Sequence, residues 1–195
     1  MDIIGHRGAA GLAPENSIEA IRKAIELNVD MIEIDVRLQN GVPVLSHDTV
    51  VQGQSYCPLK QALQHIDGKV PINIEIKEVG AVMKVMKQTS AYDGEILFSS
   101  FKFAALRKIL SIDPDANIAV LEKWSGTRGI AEAALIGAKR LHMNERWLWS
   151  NFVSSAATQG FEIYAYTVND IERAKELKKW GVKGIFTDYP DRFKN

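Results

Sequence analysis

Short runs of β-branched and apolar residues recur along the chain, and most are separated by segments in which apolar residues return at helical spacing. That alternation is the signature of parallel strands joined by crossover helices. The pattern predicts strands over 3–5, 31–36, 42–45, 72–76, 96–99, 118–121, 140–143, 163–166 and 184–186. Helices are expected over 18–27, 59–66, 79–89, 103–110, 130–136, 153–158 and 171–180. The first is the best signalled, where Ala13-Pro14-Glu15-Asn16-Ser17 leads into an apolar stripe of Ile18, Ala20, Ile21, Ala24, Ile25 and Leu27. Nine strand candidates separated mostly by helices point to an α/β fold, a compact (β/α)8 TIM barrel with short loops. The 42–45 strand would be an antiparallel extra or a continuation of the second. An open doubly wound sheet is the alternative. It would gather polar residues at one switch point, whereas here they recur at the C-terminal ends of many strands, where barrels build their sites.

Composition narrows the picture. The chain has 195 residues, so residues 1–195 are expected to form one barrel domain, close to the lower size limit of this fold. It is 46% hydrophobic and 25% charged, with 24 basic and 24 acidic residues. No basic excess exists to neutralise a phosphate backbone, and no apolar run approaches the ~18 to 20 residues needed to span a bilayer, so neither a nucleic-acid partner nor a transmembrane segment is expected. Cys57, the single cysteine, cannot form an internal disulfide, and the first residues lack a charged segment followed by an apolar one. A reducing, cytoplasmic setting is the expectation.

Polar residues then stand out against the predicted strands. Gly5-His6-Arg7-Gly8 follows the first strand directly. A histidine transfers protons near neutral pH, an arginine fork suits phosphate or carboxylate oxygens, and glycines let a ligand approach the backbone. The plainer reading is a strand that merely ends in polar residues. Glu33 and Asp35 interrupt Met31-Ile32-Glu33-Ile34-Asp35-Val36 at i and i+2, hence on one face of a strand. Two adjacent buried anions repel and are costly to desolvate, so a cation should sit between them, and oxygen ligands of this kind suit Mg²⁺ or Ca²⁺. Facing solvent or pairing with lysines is the alternative. Glu75 repeats the pattern between Asn73 and Lys77, as a third oxygen ligand or one half of a buried Glu75–Lys77 pair. His47, in Val44-Leu45-Ser46-His47-Asp48, is a second histidine at a strand end. His65 reads as a surface residue, and His142, inside a strand, could face either the barrel or the helices. Ser99 and Ser100 lack an adjacent base, and neither a Gly-x-Ser-x-Gly elbow, a P-loop, a dinucleotide fingerprint nor a Cys/His zinc spacing is present.

Taken together, His6-Arg7-Gly8, Pro14-Glu15-Asn16-Ser17, Glu33-x-Asp35, Gly41 through His47-Asp48, Asn73 to Lys77, Ser99-Ser100-Phe101, Tyr166 to Asn169 and Gly184 to Pro190 resemble the glycerophosphodiester phosphodiesterase family, in the family's order. The resemblance implies a barrel that uses one divalent cation, Mg²⁺ or Ca²⁺, to hydrolyse a small-molecule glycerophosphodiester to glycerol 3-phosphate and an alcohol. It implies Glu33, Asp35 and Glu75 as metal ligands, His6 and His47 as the acid/base pair, and Arg7 and Lys77 at the phosphate. Only 27 residues lie between His47 and Glu75, where family members usually carry a small inserted domain. Without it the site should be open on that side, with Phe101, Trp124 and Tyr166 as candidate pocket walls; for Trp147 and Trp149 packing between helices is at least as good a reading. The competing expectations are a lipid-directed phosphodiesterase of the lysophospholipase D or sphingomyelinase D kind and a non-catalytic barrel that binds a phosphorylated metabolite.

Overall fold

A computed structural model describes residues 1–193, so the last two residues of the expected 1–195 span lie outside it. The described residues form nine strands: β1 (Asp2–Gly5), β2 (Met31–Gln39), β3 (Val42–Leu45), β4 (Ile72–Ile76), β5 (Ile96–Ser100), β6 (Ile118–Glu122), β7 (Arg140–Asn144), β8 (Glu162–Tyr166) and β9 (Gly184–Thr187). The helices are α1 (Ile18–Glu26), α2 (Leu59–Ile66), α3 (Val82–Thr89), α4 (Phe103–Ile112), α5 (Gly126–Ile136), α6 (Ser150–Thr158) and α7 (Ile171–Trp180). All strands but β3 are parallel, and β1 pairs with both β9 and β2, which closes an eight-stranded barrel. β3 folds back antiparallel on the end of β2, from Val36 opposite Leu45 to Gln39 opposite Val42. This settles the two readings of the 42–45 run in favour of the antiparallel extra.

Alternation within each strand sorts residues to two faces. On β2, Ile32, Ile34 and Val36 are fully buried beneath the helices, while Met31, Glu33 and Asp35 share the inward face. The barrel interior is filled by Ile4, Met31, Leu97, Ala119, Tyr164 and Phe186. His142 lies there too, with its ring 4.8 Å from that of Phe186 and 5.5 Å from that of Tyr164. Burial pushes its pKa down to about 3, so this histidine is a neutral core residue facing the barrel. The interior is thus plugged by side chains beneath the C-terminal mouth, where the polar residues of the strand ends stand.

Local chemistry sets the helix ends around that mouth. Ser17 accepts the Ala20 amide at 3.1 Å at the start of α1, and Ser125 and Asp170 cap α5 and α7 in the same way. Gly8 has φ +87°, and a Cβ there would lie 2.6 Å from the Ala20 backbone. Only glycine lets α1 pack this close to the loop that carries His6 and Arg7.

Candidate active site

Seven ionisable side chains, His6, Arg7, Glu33, Asp35, His47, Glu75 and Lys77, arrive at the mouth from four strands. The β1–α1 turn places Arg7 at φ +52° beside Gly8, and this left-handed pair aims the Arg7 amide at Glu33 Oε2, 2.8 Å away. Parallel pairing sets Glu33 opposite Asn73 and Asp35 opposite Glu75. As a result one carboxylate oxygen from each of Glu33, Asp35 and Glu75 falls within 4.8 Å of the others, all three residues being buried. Such anions cannot sit together unless neighbours compensate them. Asp35 is compensated best: Asn16 Nδ2 donates to its Oδ2 at 2.9 Å, Arg7 Nε lies 3.3 Å away and Lys77 Nζ 3.2 Å away. Burial alone would raise its carboxyl pKa, but Lys77, Asn16 and Arg7 hold it below the ordinary value.

Glu33 and Glu75 are compensated less. Burial and the neighbouring carboxylates push Glu33 well above the usual carboxylate range. Burial first, then Asp35, pushes Glu75 up to about 7, even with Lys77 Nζ 2.6 Å from its Oε1. The Glu75–Lys77 pair foreseen as an alternative is therefore present, and it leaves the cluster short of positive charge. Glu33 Oε1 is buried without a hydrogen-bond partner among the described residues. A cluster of convergent, hard oxygen donors with an orphaned carboxylate oxygen fits a divalent cation.

The two histidines flank this cluster. His6 Nδ1 lies 2.7 Å from Asp188 Oδ1, and Asn169 Nδ2 donates to Asp188 Oδ2 at 2.7 Å. Asn169 Oδ1 in turn accepts from the Asp188 amide and the Thr187 hydroxyl. Burial would raise the Asp188 pKa, but the hydrogen bonds from His6 and Asn169 lower it overall, so it is a carboxylate that accepts from Nδ1–H and leaves His6 Nε2 as the ring nitrogen it does not engage. His47 is more exposed, with Nδ1 2.9 Å from the exposed Asp48, and its carbonyl accepts from Arg37 Nε at 3.0 Å. Arg7 also reaches Glu15, NH1 to Oε2 2.6 Å.

These groups open into a cavity of about 420 Å³. His6, Arg7, Glu33, His47, Glu75 and Lys77 line one side, and Phe101, Leu121, Lys123, Tyr166 and Phe186 the other. Phe101 and Tyr166 meet edge to face at 6.0 Å, and the Tyr166 hydroxyl donates to the Glu122 carbonyl. Asp35 sits behind the lining, held by Asn16. Trp124 is on the rim, its place in the wall taken by Lys123, and no residue between His47 and Asn73 contributes. Trp147 and Trp149 are exposed, on the turn before α6 and at its N-cap, not packed between helices.

Sequence reading assigned no role to Asp188, Asn169, Asn16 or Glu122. Glu122 is buried and gathers the amides of Lys123 and Trp124 on Oε1 and Arg128 Nε on Oε2, which folds the loop that brings Lys123 to the wall. Each is a polar residue at or near a strand's C-terminal end, or in the loop that follows, the signal that found the others; what the sequence hides is their pairing, since His6 and Asp188 are 182 positions apart.

The sequence profile of the Glycerophosphoryl diester phosphodiesterase family matches residues 6–57 and 52–192, two pieces that meet in the loop between β3 and α2. A glycerophosphodiester phosphodiesterase of Caldanaerobacter subterraneus subsp. tengcongensis is 27% identical over 233 residues, covering 99% of this chain and 96% of its own. One from Bacillus subtilis is 23% identical, covering 97% and 84%. Alignments longer than this 195-residue chain mean that these relatives hold segments it lacks. Among solved structures, a phosphodiesterase of Oleispira antarctica in complex with the product sn-glycerol-3-phosphate superposes with a TM-score of 0.92 at 23% identity, over 98% of this chain and 94% of that one. A glycerophosphodiester phosphodiesterase of Thermotoga maritima superposes at 0.84 with 24% identity, over 99% and 96%.

Proposed function

The chain belongs to the glycerophosphoryl diester phosphodiesterase family, and from that membership we propose that it hydrolyses glycerophosphodiesters to glycerol 3-phosphate and an alcohol, using one divalent cation and two histidines. The observation that carries this reading is the buried carboxylate cluster with its orphaned Glu33 oxygen, set between His6 and His47 in one cavity. Glu33, Asp35 and Glu75 would hold Mg²⁺ or Ca²⁺, which when bound supplies positive charge against the phosphate oxygens.

Arg7 and Lys77 add fixed positive charge on the same side of the cavity and orient the diester. His6, held by Asp188 with Nε2 free, takes the proton from the attacking oxygen, either the adjacent glycerol hydroxyl or a water. The bond from phosphorus to the alcohol oxygen breaks, and His47 on the more exposed side gives its proton to the departing alkoxide. When the glycerol hydroxyl attacks, the cyclic phosphate is opened by water with the histidine roles reversed.

Incubation with glycerophosphocholine, a lysophospholipid and a cyclic phosphodiester, each with Mg²⁺ or Ca²⁺, tests this reading. Hydrolysis of glycerophosphocholine is expected; turnover of the lysophospholipid alone would point to a lipid-directed enzyme, and none at all to a binding protein. Asp188→Asn, which removes the negative charge that orients His6, is expected to lower kcat by about 10- to 100-fold with KM little changed. Wild-type kcat in that variant would remove Asp188 from the mechanism.

Cation binding also carries a stability signature. Glu33 and Glu75 ionise near their ordinary 4.5 in the unfolded chain but only at higher pH in the fold, with Glu75 at about 7. Raised folded-state carboxyl pKa values mean stability present at low pH and lost as pH rises through that window, on the order of 3 kcal/mol for Glu75. His142, held down to about 3 in the fold, contributes the opposite slope up to its ordinary 6.5, so the signature is carried by the cation alone: the Tm gain on adding Mg²⁺ or Ca²⁺ is expected to grow between pH 5 and about 7. A gain that is largest at pH 5 would contradict the site.

Beyond His47, no wall comes from the loop between β3 and α2, so few contacts remain to reject a head group. kcat/KM is expected to differ by less than ~10³-fold, about 4 kcal/mol, among glycerophosphocholine, glycerophosphoethanolamine, glycerophosphoglycerol and a bulky aryl diester. A stronger preference for one small head group would show that other loops rebuild a tight pocket.

A further inference from the structure

The loops of the barrel mouth divide into two chemically different halves. Those after β5, β6 and β7 carry three of the chain's four tryptophans, Trp124, Trp147 and Trp149, which are 63%, 49% and 54% exposed. Trp124 and Trp147 stack on each other, with centroids 6.5 Å apart, instead of turning inward. The charges of these loops are Lys102, Lys123 and Arg146, all exposed, and one acid, Glu145, which is mostly covered and held by Arg173 at 2.8 Å. Across the mouth, the loops after β3, β8 and β9 present exposed Asp48, Asp170 and Asp191, with Arg192 the one exposed cation among their described residues.

Exposed tryptophan costs free energy in water, and soluble proteins rarely gather it on one rim without a partner. An indole with an apolar body and one N–H is suited to the boundary between hydrocarbon and water, and lysine and arginine beside it suit phosphate groups. A surface that is aromatic and cationic together, on the half of the mouth where Phe101 and Lys123 enter the cavity wall, matches an anionic lipid surface in both its apolar and its charged layers. We propose that the Trp124–Trp147–Trp149 side of the mouth, with Lys102, Lys123 and Arg146, docks the barrel onto an anionic lipid–water interface. Among the described residues no helix is long and apolar enough to cross a membrane, so the contact is peripheral. On the proposed function, docking would put the cavity against phosphodiesters carried in that surface; the docking itself does not depend on the chemistry.

The test is sedimentation of the whole chain with vesicles of phosphatidylcholine, alone or with about 30% phosphatidylglycerol, alongside hydrolysis of soluble glycerophosphocholine. The wild-type chain is expected to sediment with the anionic vesicles only, and less as salt is raised. The variant Arg146→Glu/Trp147→Ser/Trp149→Ser changes residues outside the cavity, and should bind these vesicles at least about tenfold more weakly while hydrolysing glycerophosphocholine normally. If that variant does not fold, Arg146→Glu alone decides, with a smaller loss of the same sign. No binding by wild type, equal binding to pure phosphatidylcholine, undiminished binding by the variants, or a concentration-dependent dimer that the substitutions abolish would each overturn the inference. Failure of wild type to hydrolyse glycerophosphocholine would instead count against the proposed function, whatever the vesicles show.

Discussion

Replacing His6 or His47 by alanine is expected to lower turnover of glycerophosphocholine by at least about 10²-fold, the loss typical when a positioned proton carrier is removed. Both histidines line the cavity that holds Glu33 and Glu75, and each is oriented by a carboxylate, Asp188 at 2.7 Å for His6 and Asp48 at 2.9 Å for His47. Their roles can be separated by the leaving group. A choline alkoxide needs a proton as it departs, whereas an aryl oxide does not, so His47→Ala should recover most of its activity on an aryl phosphodiester and His6→Ala should not. The opposite pattern would exchange the two assignments; near-normal turnover of glycerophosphocholine by both variants would remove the histidines from the chemistry.

Asp35→Asn and Glu75→Gln are expected to reduce activity further, by about 10³-fold or more, because several kcal/mol of transition-state charge stabilisation depend on the cation they would hold. Both changes keep shape and remove charge. In Asp35→Asn the gap is felt by Arg7 and Lys77 as well, which lie 3.3 and 3.2 Å from the carboxylate and would lose their shared counter-charge. Calorimetric titration with Mg²⁺ or Ca²⁺ should show weakened binding in parallel with the lost activity. Activity lost with cation binding intact would mean that the carboxylates organise Arg7 and Lys77 and do not hold a metal.

The sequence located the barrel strands closely because their outward faces carry unbroken Ile, Val and Leu, as at Ile32, Ile34 and Val36. It lost element ends where tertiary contact overrides local preference. α5 begins at Gly126, not at residue 130, since its first turn holds two glycines that read as loop; Gly129 lets the helix pack close on β7, where a Cβ would come within 2.7 Å of the Leu141 side chain. β2 runs on to Gln39, past residue 36, because β3 pairs with a polar extension that an apolar pattern cannot reveal. At the site, Glu33, Asp35 and Glu75 were legible as carboxylates that an apolar strand does not otherwise tolerate. What was not legible was how they are compensated: that Asn16 and Arg7 serve Asp35, that Lys77 lies between two of them, and that Asp188 stands behind His6. Those pairings are set by closure of the barrel and leave no local trace.

The most direct test of the account is the release of glycerol 3-phosphate from glycerophosphocholine by the purified chain, before chelation, after exhaustive chelation with metal content checked, and after adding back Mg²⁺ or Ca²⁺. The account predicts release that stops on chelation and returns with the cation. Full release from metal-free protein, or no glycerol 3-phosphate under any of these conditions, would contradict it.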